Sequence, residues 1–406
     1  MSRMKNLSSA RLTPLFRYLL SAILVRTCTG ASAIAVILLS RHFGADGALA
    51  GTFAACLTVP HILGPVYGRW LEKAKNAFMV IALACIIFVL FFQLAIVCIA
   101  SQQKVLSFLM LLLYGGCSSF MMGGLSTQVQ HLVEENTKAR RQAQSWDALT
   151  YGIGLTLGPL LIGLLSTQIS TQYAASIVMT FPLFACLVLM SMPKTNAKQA
   201  SDQKQLPSFK QVVFTLWQTP ALKTTLLMTS GAAFSFAALP VVAVYVSDLF
   251  NQGQESGAYL VTLYGVGCLC GAAFLLLKPL KAEALILLRN IGWLLVGCLI
   301  LLCLSGAFIT SLMSYWLSGV VNAIFFTVTI AARSEYAPKQ GAAQIYMWVA
   351  AAKITAASLG ALAAGLLVDY FVFLPLFVSI SVLSLTLLLC FSQINPVTAL
   401  MNKYQR

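Results

Sequence analysis

The feature that most restricts this chain is a succession of apolar runs, each of about 20 residues and separated by short polar turns. An α-helix rises about 1.5 Å per residue, so about 20 residues cross a hydrocarbon core about 30 Å thick. Twelve runs have that length, near residues 15–40, 47–67, 77–100, 105–130, 143–166, 172–192, 221–247, 257–277, 283–304, 309–332, 343–368 and 370–392. Of the 406 residues 59% are hydrophobic and 9% charged, against about 25% charged in an ordinary soluble domain. Backbone in lipid must satisfy its own hydrogen bonds, which makes each run a helix. The expected fold class is therefore all-α integral membrane, with twelve transmembrane helices. Loops hold roughly 30% of the chain, too little for a soluble catalytic domain. The first run has no small-residue cleavage site behind it and exceeds the length of a signal-peptide core, so it reads as the first span.

Basic residues give the orientation, because cytoplasmic loops retain Lys and Arg. With the N-terminus placed inside, 22 of the 26 Lys and Arg fall on that side, Arg41 and Lys104 fall outside, and Arg26 and Lys353 are embedded. Both termini are thus expected to be cytoplasmic, and the short outward loops suit a bacterial inner membrane. The net charge of +15 follows from this topology and an anionic lipid surface, and calls for no nucleic-acid partner. All 11 cysteines lie within apolar runs, where thiols behave as small hydrophobes. Cys268 and Cys270 have the wrong spacing for a zinc or redox motif, so no metal or cofactor is expected.

The longest polar stretch, PKTNAKQASDQKQLPSFKQ, divides the chain near its middle. The expected organisation is a six-helix bundle over 1–192, a cytoplasmic linker over 193–220 and a second six-helix bundle over 221–406. Repeats of this kind leave weak internal symmetry. A shift of 202 places Trp146 on Trp348, Gly158 on Gly360 and Gly163 on Gly365, and a shift of 203 places Gly64 on Gly267 and Gly68 on Gly271. GIGLTLG in the fifth span and GVGCLCG in the eighth share their glycine spacing, at Gly152, Gly154 and Gly158 and at Gly265, Gly267 and Gly271. That spacing is wrong for a nucleotide loop. Small residues four apart let transmembrane backbones approach, and these are expected to join the fifth and eighth spans, one from each half.

With twelve spans, an internal duplication and a basic central loop, the chain resembles the major facilitator superfamily over nearly its whole length. GPVYGRWLEK is similar to that family's loop signature at Gly64, Arg69 and Lys73, with Gly68 where the family carries Asp. GLTLGPLLIG, with Gly154, Gly158, Pro159 and Gly163, is similar to the fifth-helix motif of exporters, its last glycine one place further on. The resemblance implies a secondary active transporter of exporter type, working by alternating access, with gating and packing roles for these residues.

Two cations sit where a charge costs at least about 2.5–3.5 kcal/mol. Arg26 lies about 16 Å into the first span, too deep for its side chain to snorkel out, and Lys353 lies at similar depth in the eleventh. Of 11 carboxylates only Asp147 falls within a span; it lies in the first turns of the fifth, nearer the cytoplasmic surface than either cation, and can neutralise one of the two at most. One reading is a buried ion pair that fixes two helices. The other is a positive centre completed by a carboxylate or phosphate of the substrate, to which Arg offers a rigid fork and Lys a point charge. Gln128, Asn322 and Tyr151 are the further substrate-binding candidates. Asp147 is the leading proton-coupling candidate and His61 the second, against structural readings as a helix-start residue and a satisfied histidine.

These observations predict proton-coupled export of a small anionic or carboxylate-bearing molecule by a monomeric carrier whose partners are substrate, protons and lipid. A multidrug efflux pump and a nutrient-anion uptake carrier are the alternatives. The three histidines lie far apart and ten of the 11 carboxylates sit in loops, so the clustered constellation of a membrane enzyme is not expected.

Overall fold

The computed structural model describes residues 2–133, 137–192, 209–278, 282–337 and 342–392. Among these every regular element is a helix. Eleven helices are long and apolar enough to cross a membrane. In chain order, with the shorter second segment included, they are α1 Pro14–His42, α2 Gly47–Leu63, α3 Ala77–Ala100, α4 Lys104–Gln128, α5 Gln142–Gln168, α6 Thr171–Met190, α7 Pro220–Leu249, α8 Gln254–Leu275, α9 Ala284–Cys303, α10 Phe308–Arg333, α11 Ile345–Val368 and α12 Leu374–Phe391. The expected linker falls largely outside the described residues; its last part is the helix Phe209–Gln218.

The second segment departs from the expected single span. Its α-helix ends at Thr58 and gives way to a 3₁₀ turn, Val59–Leu63, followed by a new helix, Gly64–Lys73. Pro60 opens the tight turn and Pro65 opens the next helix. Each lacks the N–H that a continuous helix would require. Pro240 likewise opens the second part of α7 after a break at Ala237, whereas Pro159 lies inside an unbroken helix. α4 contains a π turn at Phe120–Gly124.

Glycines set the closest approaches. Gly154 and Gly158 press on the backbone of α1, where an added Cβ at Gly158 would meet the Thr27 carbonyl oxygen and, at 2.5 Å, the Ala31 nitrogen. Gly267 and Gly271 face α10 at Trp316 and Val320, and Gly360 faces Phe234 of α7. The expectation that Gly154, Gly158, Gly267 and Gly271 join α5 to α8 is therefore corrected. That contact is made by Gly152 against Leu269, Gly265 against the Leu155 carbonyl, and Gly163 against Ala258 and Tyr259. Positions two apart on a helix lie about 200° around it, so a single glycine motif seats α5 on two neighbours at once. Among the described residues, Gly64 has no atom within 4 Å of an added Cβ.

A second seam joins α2 to α11. Gly51 meets Gly365 and Ala361, Gly47 meets Val368 and Gly365, and the Thr58 and Ser358 hydroxyls lie 2.6 Å apart. Asp369, just past α11, accepts from the Gly47 N–H at 2.6 Å and from the Tyr245 hydroxyl of α7 at 2.7 Å. The Arg41 guanidinium stacks 4.6 Å from the Tyr245 ring centre. These contacts close the end of the bundle that carries the turn between α1 and α2.

Candidate functional site

Arg26 is 1% exposed and sits in a polar cage. Its Nη2 lies 2.7 Å from Asp147 Oδ1 and donates to Ser126 Oγ at 2.7 Å. Nη1 donates to the Asp147 carbonyl oxygen at 2.6 Å and to the Thr150 hydroxyl. The guanidinium carbon lies over the Tyr151 ring, 3.6 Å from its centre. Asp147 is held in turn by the Tyr18 hydroxyl at Oδ1 and by Ser126 Oγ at 2.9 Å on Oδ2. Ser126 Oγ is also 2.9 Å from the Tyr151 hydroxyl. Three helices thus converge on one charge pair: α1 with Tyr18 and Arg26, α4 with Ser126, and α5 with Asp147, Thr150 and Tyr151. Arg26 Nε has no acceptor among the described residues.

The reading of Arg26 as a charge left for an anionic guest is corrected, because its balance comes from Asp147. A guanidinium away from water keeps its charge only when paired and hydrogen-bonded. The cage works because glycine allows it: Gly154 presses on the Arg26 backbone, which brings α1 close enough for a side chain on one helix to reach the next turns of the other. Tyr18 and Ser126 were missed from sequence. The available signal was the spacing of Tyr18 and Arg26, eight residues apart and so on one helix face; nothing in the sequence points to Ser126.

Lys353 is placed differently. Its ammonium lies 3.8 Å from the centre of the Phe326 ring of α10. Arg26–Asp147 is the one ion pair among the described residues, so no described carboxylate meets Lys353. Lys353 stands at the position related to Tyr151 by the 202-residue shift, since 353 − 151 = 202. In the first half of the chain the fifth-span position carries the ring and takes a cation from α1. In the second half the equivalent position carries the cation and takes a ring from α10.

The remaining candidates are dispersed. His61 is clasped in the tight turn of α2, with Ser118 Oγ 2.9 Å from Nε2 and Ser119 Oγ 2.9 Å from Nδ1. Both ring nitrogens have partners, and neither partner is a member of the Arg26 cage. Asn322 donates to the Tyr264 hydroxyl at 2.6 Å, while Gln128 donates to its neighbour Thr127 at 3.0 Å. Arg69 and Lys73 lie in the helix Gly64–Lys73, and their side chains are outside the described residues. No cluster of three His, Cys, Asp or Glu suited to a metal occurs among the described residues.

With this geometry in view, the relatives are informative. No curated protein matches the chain in sequence. Among solved structures it is similar to the nucleoside transporter NupG, in a mutant form, at 13% identity with a TM-score of 0.73 over 94% of this chain and 100% of that one. A POT family transporter in complex with 5-aminolevulinic acid shares 12% identity, with a TM-score of 0.71 over 92% of this chain and 94% of that one. A bacterial homolog of the human lysosomal transporter Spinster, inward-facing and unoccupied, shares 15% identity, with a TM-score of 0.66 over 89% and 83%. Identities this low speak to fold alone. Residues 18–282 match the family described as Major Facilitator Superfamily, which covers more than half of the sequence. The chain therefore belongs to the major facilitator superfamily, as a multi-pass membrane transporter rather than an enzyme.

Proposed function

We propose that the protein is a proton-coupled secondary transporter that exports a small molecule bearing an acidic group across the bacterial inner membrane by alternating access. In this reading the twelve helices form two six-helix bundles, and both termini are cytoplasmic. The observation that carries the substrate class is Lys353: an ammonium inside the bundle, against an aromatic ring, with no described carboxylate to balance it. A lone cation in that setting is costly unless a mobile partner supplies the opposite charge. Asn322 and the Tyr264 hydroxyl supply neutral hydrogen-bonding groups on neighbouring helices of the same half.

Asp147 is the proton-coupling group. A proton on its carboxylate removes the balance of Arg26 and leaves a buried guanidinium unpaired, an arrangement the closed cage does not tolerate. Protonation thus biases the packing of α1, α4 and α5. Such a bias at a two-state element is what coupling a proton to alternating access requires. Arg26 is then a positioning residue for Asp147, and the substrate charge falls to Lys353.

The test is reconstitution in liposomes with an imposed pH gradient, using a panel of organic acids against lipophilic cations. Acids are expected to move against the proton gradient, and Lys353→Gln is expected to abolish that movement while thermal stability in detergent is retained. Undiminished acid transport by Lys353→Gln overturns the substrate assignment, and transport of lipophilic cations alone restores the drug-efflux alternative.

A further inference from the structure

Arg333 is a buried cation that the sequence placed in a cytoplasmic loop and that no motif singled out. It ends α10, is 8% exposed, and makes its described hydrogen bonds to its own helix: Nε to the Thr329 carbonyl at 3.0 Å and Nη2 to the Thr329 hydroxyl at 3.4 Å. Its guanidinium faces the Tyr346 ring of α11, 5.9 Å from the ring centre. No described carboxylate meets it.

These contacts repeat those of Lys353 with the helices exchanged. Lys353 of α11 lies on the Phe326 ring of α10, and Arg333 of α10 lies on the Tyr346 ring of α11. The arithmetic is the same on both helices, since 333 − 326 = 7 and 353 − 346 = 7. Seven residues are about two turns, or about 10 Å of rise. α10 and α11 run antiparallel, so the two cation–ring pairs are rungs of one ladder about 10 Å apart. The two helices meet through these long side chains and not through a close backbone seam of the kind that joins α8 to α10. The facing sides of the two helices therefore carry two positive groups and two aromatic faces, with no described carboxylate paired to either cation.

A like-charge pair inside a bundle raises the free energy of the empty protein and lowers it on binding of a complementary anion. We propose that the α10–α11 cleft is a two-point site for a substrate with two separated acidic groups, one held by Lys353 and the other by Arg333. This rests on the reading of the protein as a carrier of acidic molecules and narrows it from a single acidic group to a dianion. The rings of Phe326 and Tyr346 lie on the same rungs and offer apolar surface to the spacer. Arg333 suits carboxylate or phosphonate in a bidentate grip, while Lys353 takes either as a point charge.

The experiment measures binding to the purified full chain in detergent by thermal stabilisation, with α,ω-dicarboxylates and α,ω-bisphosphonates of graded length as probes. Monocarboxylates and monophosphonates of equal length are the controls. The expected result is about tenfold tighter binding of the matched dianion over its monoanion, which corresponds to about 1.4 kcal/mol, with an optimum in chain length. Arg333→Gln is expected to erase the dianion advantage, so that a dianion and a monoanion of equal length bind alike, and Arg333→Lys to restore part of it. Lys353→Gln is expected to weaken both classes. Equal affinity for monoanions and dianions in the unaltered protein, or an advantage that survives Arg333→Gln, overturns the two-point site while the acidic-substrate reading stands. Failure of every anion to bind the unaltered protein overturns both. Which head group binds more tightly distinguishes a carboxylate from a phosphate substrate.

Discussion

Replacing the Arg26–Asp147 pair one partner at a time and then together gives a quantitative check on the cage. In Asp147→Asn the guanidinium, 1% exposed, keeps its bonds to the main-chain carbonyl of that residue, to Thr150 and to Ser126 but loses the carboxylate oxygen 2.7 Å away. Two unit charges about 4 Å apart attract by about 4 kcal/mol at an effective dielectric of about 20. Measured losses on breaking buried pairs are about 3–5 kcal/mol, because the remaining charge is stranded. An unfolded chain still in a micelle regains some of its polar contacts, which places the expected loss near about 3 kcal/mol for Asp147→Asn and for Arg26→Gln alike. The double variant strands no charge and puts two amides where the ions were. It is expected to lose no more than either single variant, giving a coupling energy of about 3 kcal/mol. Equilibrium unfolding in mixed micelles, monitored by helical circular dichroism, reads all four proteins. Additive losses, with the double variant down by about 6 kcal/mol, would refute the claim that the two groups balance one another.

Two other expectations are structural. Gly158→Ala places a methyl on the α1 backbone at Thr27 and Ala31, which cannot move aside as a flexible side chain can, and should destabilise by about 1–3 kcal/mol. Gly64→Ala, with nothing within 4 Å, should be neutral in the same melt. Asp369→Asn weakens the bonds from Gly47 and Tyr245 that tie α11 to α2 and α7. It should speed amide hydrogen exchange in the segment spanning Gly47 and Gly51, and unchanged exchange would show that the end is held by glycine packing alone.

The spans were legible because lipid leaves a backbone few options, and their ends agree closely with the polar boundaries: 343–368 was expected for α11 and Ile345–Val368 is found. The break in α2 was less so, although Pro60 and Pro65 mark where each new helical piece begins. At the charged centre, the sequence narrowed the possible partners of Arg26 to Asp147 by elimination, yet left open whether the two meet, which they do. Depth along a helix is countable from sequence, whereas the tilt and approach of α1 and α5 depend on which glycine faces which neighbour. Arg333 was misplaced outright. Its position at the end of a run made it look solvated, but a guanidinium that bonds back to Thr329 and faces Tyr346 is folded into the bundle. Convergence of Tyr18, Ser126 and Asp147 from three helices has no one-dimensional signature.

The π turn at Phe120–Gly124 separates two groups of hydroxyls on α4: Ser118 and Ser119, which clasp His61, and Ser126, which braces Arg26 and Asp147. Such a turn accommodates one residue more than the α-helical register, and releasing it re-phases everything beyond by about 100° with a slide of about 1.5 Å. The histidine clasp and the ion-pair cage therefore cannot both keep their present partners if α4 rewinds. A wound segment of five residues thus sets the angular register between two polar centres that share no residue.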